Sequence, residues 1–357
     1  MMQEYKLTFP SSETIVVEGR GSIGKICSIL DTHNSGQKWV VLTQKPVYEL
    51  YGRLTIDSLR SSNFDVEHII IPENESAKTF ETAISISKSL IKMGCGRDSV
   101  IIGMGGGTVG DVAGFIASIY MRGVKLIQVP TTLLSMVDSS IGGKTAINVD
   151  SHKNIVGSFY HPQHIIIDPH LLDSLDNDSF ISGLAEVVKY GIALDKEFFS
   201  ILKSEMPQII LKDESRVDSM ISRCIGIKSK VVMGDEKDYG LRMKLNFGHT
   251  FGHAFESETK FKISHGHAVA LGMKCASALS KRYGLSKNDF NDIIDIIDTL
   301  NFPIIKNSNP EDILLNMRND KKVINGSQQF ILVDKIGSSF IKFEVSRSDL
   351  LEALGVV

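Results

Sequence analysis

Cysteine is scarce in this chain. The four present, Cys27, Cys95, Cys224 and Cys275, lie far apart and form no CxxC pair. That spacing excludes a cysteine zinc site and argues against a disulfide framework. A reducing, cytoplasmic setting suits it. An excess of one charge is also missing: 39 Lys+Arg stand against 42 Asp+Glu, a formal net charge of −3. A general polyanion binder needs a clear basic excess, so nucleic acid is not an expected partner and any basic pocket is local. The first residues, MMQEYKLTFPSSETIVVEG, are too polar for a signal peptide. No internal repeat, heptad run or low-complexity segment occurs. One stretch, Ser99–Met121, is long and apolar enough to suggest a membrane span. Asp111 and six glycines interrupt it; a strand, a glycine turn and a buried helix account for it better, and no membrane partner is expected.

What is present is an ordinary globular composition, 42% hydrophobic and 23% charged, at a length that suggests two domains. Trp39–Thr43, His68–Ile71, Val100–Gly103 and Leu126–Val129 read as buried strands. Lys78–Met93 between two of them carries apolar residues at helical spacing. Strand–helix alternation implies βαβ units and a parallel sheet. From about Asp168 the pattern turns helical: Leu171–Ile192, Asp195–Met206, Asp213–Asp235, His249–Glu258, His267–Tyr283, Asn288–Leu300 and Asn309–Arg318. Only Gln329–Val333 and Phe340–Val345 read as strands there, and His161–Asp168 reads as the crossing point. The expected architecture is an N-terminal Rossmann-like parallel-sheet α/β domain over 1–167 and a mostly α-helical C-terminal domain over 168–357.

Five groups of residues carry chemistry. Gly105, Gly107 and Gly110 match GxGxxG after a strand and before a helical run. Such glycines let backbone turn tightly and approach a pyrophosphate at a helix N-terminus, or simply make a tight turn. The match is not on the first strand, and no strand ending in an acid follows about twenty residues on, so a plain Rossmann domain is not expected. Glu73–Lys78 (ENESAK) is a polar loop between strand and helix, and Thr131 and Thr132 follow a strand, where their hydroxyls can bond a ligand or cap the next helix. Histidine geometry is the strongest signal. Of ten histidines, His249, His253, His265 and His267 fall within nineteen residues, and His249 and His253 share a helical face at i and i+4. That clustering favours metal binding or proton transfer, and Glu186, on an apolar helix where an unpaired carboxylate is costly to bury, is a candidate third ligand. Finally, Arg122, Lys144, Lys153, Lys189, Lys228, Arg242, Lys321 and Lys322 stand in apolar or glycine-rich surroundings. Together they suit a small substrate with several negative charges, such as a phosphorylated acid.

These residues fall in seven ordered motifs: GMGGGTVGDVAGFIASIYMRG, VPTTLLSMVDSSIGGKTAIN, HKNIVGSFYHP, GLAEVVKYG, DEKDYGLRMKLNFGHTFGHAFE, HGHAVALGM and NDKK. In them the chain resembles the 3-dehydroquinate synthase family, over about Val40 to Gly337. The resemblance implies a lyase of the shikimate pathway that converts 3-deoxy-D-arabino-heptulosonate 7-phosphate to 3-dehydroquinate and phosphate. It implies NAD and a divalent metal, zinc or cobalt, as cofactors. The chemistry implied is transient oxidation at C5, β-elimination of phosphate with the substrate's own phosphate as a possible base, re-reduction, ring opening and an intramolecular aldol. Residue by residue it implies Glu186, His249 and His265 as metal ligands. Catalytic roles fall to His253, Asp238, Lys144 and Arg242. The substrate would meet Arg122, Asp138, Lys144, Asn154, Lys189, Lys228, Arg242, Asn246 and one of Lys321 and Lys322. NAD would meet Glu73, Asn74, Glu75, Ser76, Ala77, Lys78, Gly107, Thr108, Val109, Gly110, Asp111, Thr131, Thr132, Lys144, Lys153, Leu171, Leu172, Asp173 and Ser174. A homodimer is implied as well.

Two positions depart from the family pattern. Asp238 stands where a glutamate is frequent, one methylene shorter, and Gln44 follows the strand threonine where Asp or Asn is frequent. Three other readings compete. Another sugar-phosphate cyclase would share the metal and NAD residues, but Arg242 and Lys189 favour a carboxylate-bearing substrate. A metal-dependent alcohol or glycerol dehydrogenase would need no cation set. A non-catalytic metal-binding module would leave the glycine loop unexplained.

Overall fold

Parallel strands require long crossovers, and helices supply them here. The computed structural model describes residues 2–30, 36–150, 152–304, 309–318, 323–324 and 327–357. Two units emerge, Met1–Leu175 and Asp176–Val357. The first begins with an antiparallel hairpin, β1 (Gln3–Thr8) and β2 (Glu13–Glu18), then α1 (Ile26–Leu30) and β3 (Lys38–Gln44). α2 (Lys45–Val47) runs through a π turn into α3 (Arg53–Ser61), followed by β4 (Asp65–Ile71), α4 (Phe80–Lys92), β5 (Val100–Gly105), α5 (Gly107–Ile119) and β6 (Lys125–Pro130). A second hairpin, β7 (Lys144–Val149) with β8 (His152–Phe159), precedes β9 (His164–Ile167).

Seven strands form one sheet in the order β1-β2-β9-β6-β5-β3-β4, parallel throughout except for β1 with β2. His161–Asp168, expected as a crossing point, instead contains β9, seated between β2 and β6. Its four residues HIII are all buried, too few and too uniform to show a period. The span-like stretch Ser99–Met121 is β5 and α5, and no described helix is long and apolar enough to cross a membrane. Because both faces of the central strands are covered, they read as continuous apolar runs. The core lies between sheet and helices, with Val40, Leu42, Ile101, Val112 and Ile116 buried.

This topology creates a switch point. From β3 the chain moves outward to β4; from β5 it moves the other way, to β6. Ligands of open α/β sheets bind beyond the carboxyl ends of strands at such a point. The parallel register puts Gln44 beside Ile71, Thr43 beside Met104 and Gly105 beside Pro130. The loops that follow these strands therefore share one edge of the sheet.

The second unit contains α6 (Asn177–Ala193), α7 (Lys196–Ile210), α8 (Glu214–Gly234), α9 (His249–Glu258), α10 (His265–Ser280), α11 (Lys287–Asp298) and α12 (Pro310–Arg318). β10 (Val323–Ile324), β11 (Ser327–Lys335) and β12 (Ser338–Phe343) form a small antiparallel sheet before α13 (Arg347–Leu354). The single helix expected over Leu171–Ile192 is a 3-10 helix, Pro169–Ser174, and then α6. Two aspartates impose the break: Asp168 accepts the His170 N–H at 3.0 Å and Asp176 accepts the Ser179 N–H at 2.8 Å, each capping its own helix.

Almost every residue of α6 from Phe180 onward is buried, as expected of a helix apolar on all sides. α6 packs on α10, and α10 on α9. Glycine sets these spacings. A Cβ at Gly272 of α10 would stand 2.0 Å from the Gly248 carbonyl oxygen and 2.7 Å from the Gly252 nitrogen. A Cβ at Gly266 would stand 2.0 Å from the Ser182 carbonyl oxygen of α6. Gly272→Ala is therefore expected to destabilise the protein by about 1–3 kcal/mol through overpacking. Gly226→Ala, on α8 with nothing within 4 Å of the added carbon, is expected to stabilise by about 0.5–1 kcal/mol through helix propensity. Denaturant midpoints of the two variants check the opposite signs.

Candidate functional site

Close packing of α6, α9 and α10 brings three side chains together. Glu186 lies four residues after Ser182 on α6 and is 0% exposed. His265 is the first residue of α10, and His249 is the first of α9. The Glu186 Oε1 is 3.5 Å from His249 Nε2 and 3.3 Å from His265 Nε2, and the three ligand atoms lie within 4.8 Å of one another. An ion bound tetrahedrally through ~2.1 Å bonds holds its ligand atoms roughly 3.4 Å apart, so the set fits a divalent cation. The other ring nitrogens are engaged in a way that points Nε2 inward. His249 Nδ1 lies 3.2 Å from the Phe247 carbonyl oxygen, and His265 Nδ1 lies 3.4 Å from Glu256 Oε1.

The charges around the cluster are buried and paired. Lys189, 2% exposed, contacts Glu186 one turn away and lies over the Tyr190 ring. Burial works against a charged His265, but Glu186 and Glu256 on its two nitrogens outweigh this and hold its pKa at about 10. The site thus attracts positive charge. The His253 ring is 5.6 Å from that of His249 and 6.5 Å from that of His265, centroid to centroid.

Lys228 is buried on α8, which packs against both α6 and the 3-10 helix Leu241–Asn246. Arg242 on that 3-10 helix is also buried, and its Nη1 donates to the Glu236 carbonyl oxygen at 2.7 Å. Asn246 and Asp238 are half-buried, Asp238 in the left-handed backbone region. Asp235, the first residue of the DEKDYGLR motif but given no role of its own there, organises the loop: its carboxylate accepts the backbone N–H of Tyr239, Gly240 and Arg242 at 2.7–3.0 Å. Lys321 and Lys322 lie outside the described residues.

In the first unit two of the expected nucleotide segments, Glu73–Lys78 and Gly107–Asp111, meet beyond the ends of β4 and β5. Lys78, nearly fully buried, donates to Asp111 at 2.6 Å, contacts Asn154, and lies 3.6 Å from Glu75. Burial alone would lower its pKa, but Asp111 and Glu75 outweigh this and raise it. Glu75 accepts from Asn148 at 2.9 Å and from Thr108 at 3.3 Å. Gln44 donates to the Pro72 carbonyl oxygen at 3.0 Å, tying the end of β3 to the loop Glu73–Lys78. The N-terminus of α5 follows Gly106, which offers no side-chain cap. A Cβ at Gly107 would come within 3.1 Å of Ser139 Oγ, so a narrow cradle of backbone fits a pyrophosphate there. The other fingerprint glycines have a different reason from the tight turn expected. None of Gly105, Gly107 and Gly110 has positive φ; a Cβ at Gly105 would run into Val109, and one at Gly110 into Gln128.

Several expected residues offer less than their motifs suggest. The side chains of Ala77, Val109, Leu171 and Leu172 are buried in the core. Tyr51 Oη donates to the Leu171 carbonyl oxygen and to Ser174 Oγ, and Asp173 pairs with His170 and Arg20. Thr132 caps the following turn, its Oγ1 accepting the Ser135 N–H at 3.2 Å, and Thr131 is buried. Glu73, Asn74, Ser76, Arg122 and Lys144 are exposed; Asp138 and Lys153 are half-buried.

The Asp235 contacts predict a pH dependence. Burial alone would raise its carboxyl pKa, but the backbone donors outweigh this and hold it below the usual 3.8. A depressed folded pKa contributes stability that is complete above the unfolded value and is lost as pH falls through the folded one. Wild type is expected to exceed Asp235→Asn in stability by a constant margin from neutral pH down to about 4.5, shrinking below about 3.8. Urea midpoints across that range measure the margin.

Comparison with known proteins adds the family. A family model described as 3-dehydroquinate synthase N-terminal matches residues 68–182, and one described as 3-dehydroquinate synthase C-terminal matches residues 183–323. The 3-dehydroquinate synthase of Thermodesulfovibrio yellowstonii is 40% identical over 357 residues, 99% of each chain. Among solved structures, 2-epi-5-epi-valiolone synthase from Streptomyces hygroscopicus, with NAD+ and Zn2+ bound, superposes with a TM-score of 0.88 at 24% identity over 98% of this chain and 96% of that one. A 2-deoxy-scyllo-inosose synthase complexed with carbaglucose-6-phosphate, NAD+ and Co2+ gives 0.91 at 22% identity over 99% of both chains. The structural likenesses speak to fold; the full-length identity and the two matched family models establish that the chain belongs to the 3-dehydroquinate synthase family.

Proposed function

We propose that the chain is an NAD- and divalent-metal-dependent 3-dehydroquinate synthase. It converts 3-deoxy-D-arabino-heptulosonate 7-phosphate to 3-dehydroquinate and phosphate, in the shikimate pathway. The observation that carries this reading is the Glu186–His249–His265 cluster with both Nε2 atoms directed at Glu186, in a chain 40% identical to a named synthase. Zinc with NAD in the valiolone synthase, and cobalt with NAD in the inosose synthase, support the cofactor choice.

When bound, NAD supplies a reversible hydride acceptor and the divalent ion supplies Lewis acidity at the C5 hydroxyl. The chain supplies charge and geometry. Glu186, His249 and His265 hold the ion. His253, one helical turn from His249, carries the proton-transfer role, and Asp238 a proton-acceptor role. Arg242, fixed by Glu236 and Asp235, suits bidentate recognition of the substrate carboxylate. Lys189, Lys228 and Asn246, with Arg122, Asp138, Lys144 and Asn154 of the first unit, serve hydroxyls and phosphate. NAD uses residues 73–78, 107–111, Thr131, Thr132, Lys144, Lys153 and 171–174, with Ala77, Val109, Leu171 and Leu172 contributing backbone because their side chains are in the core.

The reading also makes the enzyme a cytoplasmic homodimer. All four cysteines are free, as suits a reducing compartment. Among the described strands β8 pairs only with β7, and its Ile155 and Phe159 are exposed; an open sheet edge that carries exposed apolar side chains invites a partner.

Turnover of the heptulosonate phosphate is expected to release phosphate and 3-dehydroquinate in equal amounts with no net NADH. Chelator is expected to stop it, and zinc or cobalt to restore it. Accumulating NADH would indicate a dehydrogenase instead, phosphate without dehydroquinate another cyclase, and full activity in metal-free protein would contradict the metal role. Ile155→Lys is expected to shift sedimentation from dimer to monomer; a monomeric wild type would overturn the dimer.

A further inference from the structure

His249, His253 and Glu256 stand at i, i+4 and i+7 on α9, one above the other on a single face. The stripe therefore ends in a carboxylate that is 6% exposed, and a buried carboxylate is costly unless it is hydrogen-bonded. Its Oε1 lies 3.4 Å from His265 Nδ1, on the side of the ring opposite Glu186. A carboxylate can only accept there, so His265 keeps a hydrogen on Nδ1, and Nε2 is the nitrogen that can meet a cation. His249 has a different orienter, the backbone carbonyl oxygen of Phe247, which is neutral and present whatever the side chain. His265 also opens α10, where the positive end of the helix dipole draws electron density from the ring; a carboxylate on Nδ1 offsets that.

We propose that Glu256 is a positioning residue of the metal centre, fixing the tautomer and orientation of His265 so that Nε2 faces the cation. The proposal rests on the reading of Glu186, His249 and His265 as metal ligands. One turn of α9 then delivers one ligand directly and braces another on a different helix.

The test is zinc affinity of the full chain by chelator competition, for wild type, Glu256→Gln, Glu256→Leu and His265→Ala. Glu256→Leu, which removes the acceptor, is expected to weaken zinc about 10–100-fold. Glu256→Gln, which keeps an acceptor oxygen and loses the charge, should fall between it and wild type. The unfolding midpoint of the metal-free protein and the NAD titration should stay at wild-type values. Nitrogen and proton NMR of the zinc-bound protein should show the His265 Nδ1–H shifted by a hydrogen bond to a carboxylate in wild type, a signature lost in zinc-bound Glu256→Leu. Zinc affinity in Glu256→Leu within about twofold of wild type, while His265→Ala loses it, would overturn the positioning role alone. A zinc loss matched by equal losses in metal-free stability and NAD affinity would also overturn it, as a folding effect. Wild type without zinc affinity, or His265→Ala binding zinc as wild type does, would overturn the ligand assignment and the proposal together.

Discussion

Backbone-to-backbone contact among α6, α9 and α10 is the constraint on which the chemistry of the helical unit depends. Helices faced with ordinary side chains pack about 8–10 Å apart. Here Gly266 rests on Ser182, and Gly272 rests on Gly248 and Gly252, so side chains from three helices reach one point. Gly248 adds a conformational requirement, with φ of +79° at the start of α9 and the Met273 backbone against it. A metal site tolerates distance errors of only about 0.2 Å, so the glycines are as much part of the proposed centre as the side chains they bring together.

Electrostatics then completes what packing begins. Glu186 and Glu256 flank His265 on both nitrogens, and Lys189 balances Glu186. In a pocket that holds a histidine pKa at about 10, a proton and the proposed metal ion would compete for the same lone pair, so uptake of the ion would release protons and strengthen as pH rises. The first unit solves a similar problem differently: the buried Lys78 ammonium gathers Asp111, Glu75 and Asn154 around it and draws the β7–β8 hairpin onto the loop after β4.

Much of this was readable in the residues, and the gaps have physical causes. β3 and β5 declare themselves because strands buried on both faces are continuous apolar runs, here built on Val40–Leu42 and Val100–Ile102. α9 has the bounds its spacing suggested, His249 to Glu258. β9 is too short to carry a signal, and the β7–β8 hairpin is too polar to look like a sheet. The apolar run around Glu186 marks a carboxylate whose burial demands a reason, and it is fully buried. Asn148, Asp235 and Glu256 stand in the motifs, yet their roles were not legible: each depends on a hydrogen bond that only the folded chain makes, as with Asn148 and Glu75, 73 positions apart. The fingerprint glycines show the converse: a familiar pattern, placed largely by the need to fit Val109 and Gln128.

The Glu186–Lys189 contact on α6 has a consequence for how the protein is made. A small zinc finger is unfolded without its ion, because metal binding supplies its folding free energy. Here an ammonium built into the same helix already pairs with the innermost carboxylate. The proposed metal site is thus one around which the helices can pack while it is empty, so that an ion could enter late, or be replaced, without the polypeptide having to unravel.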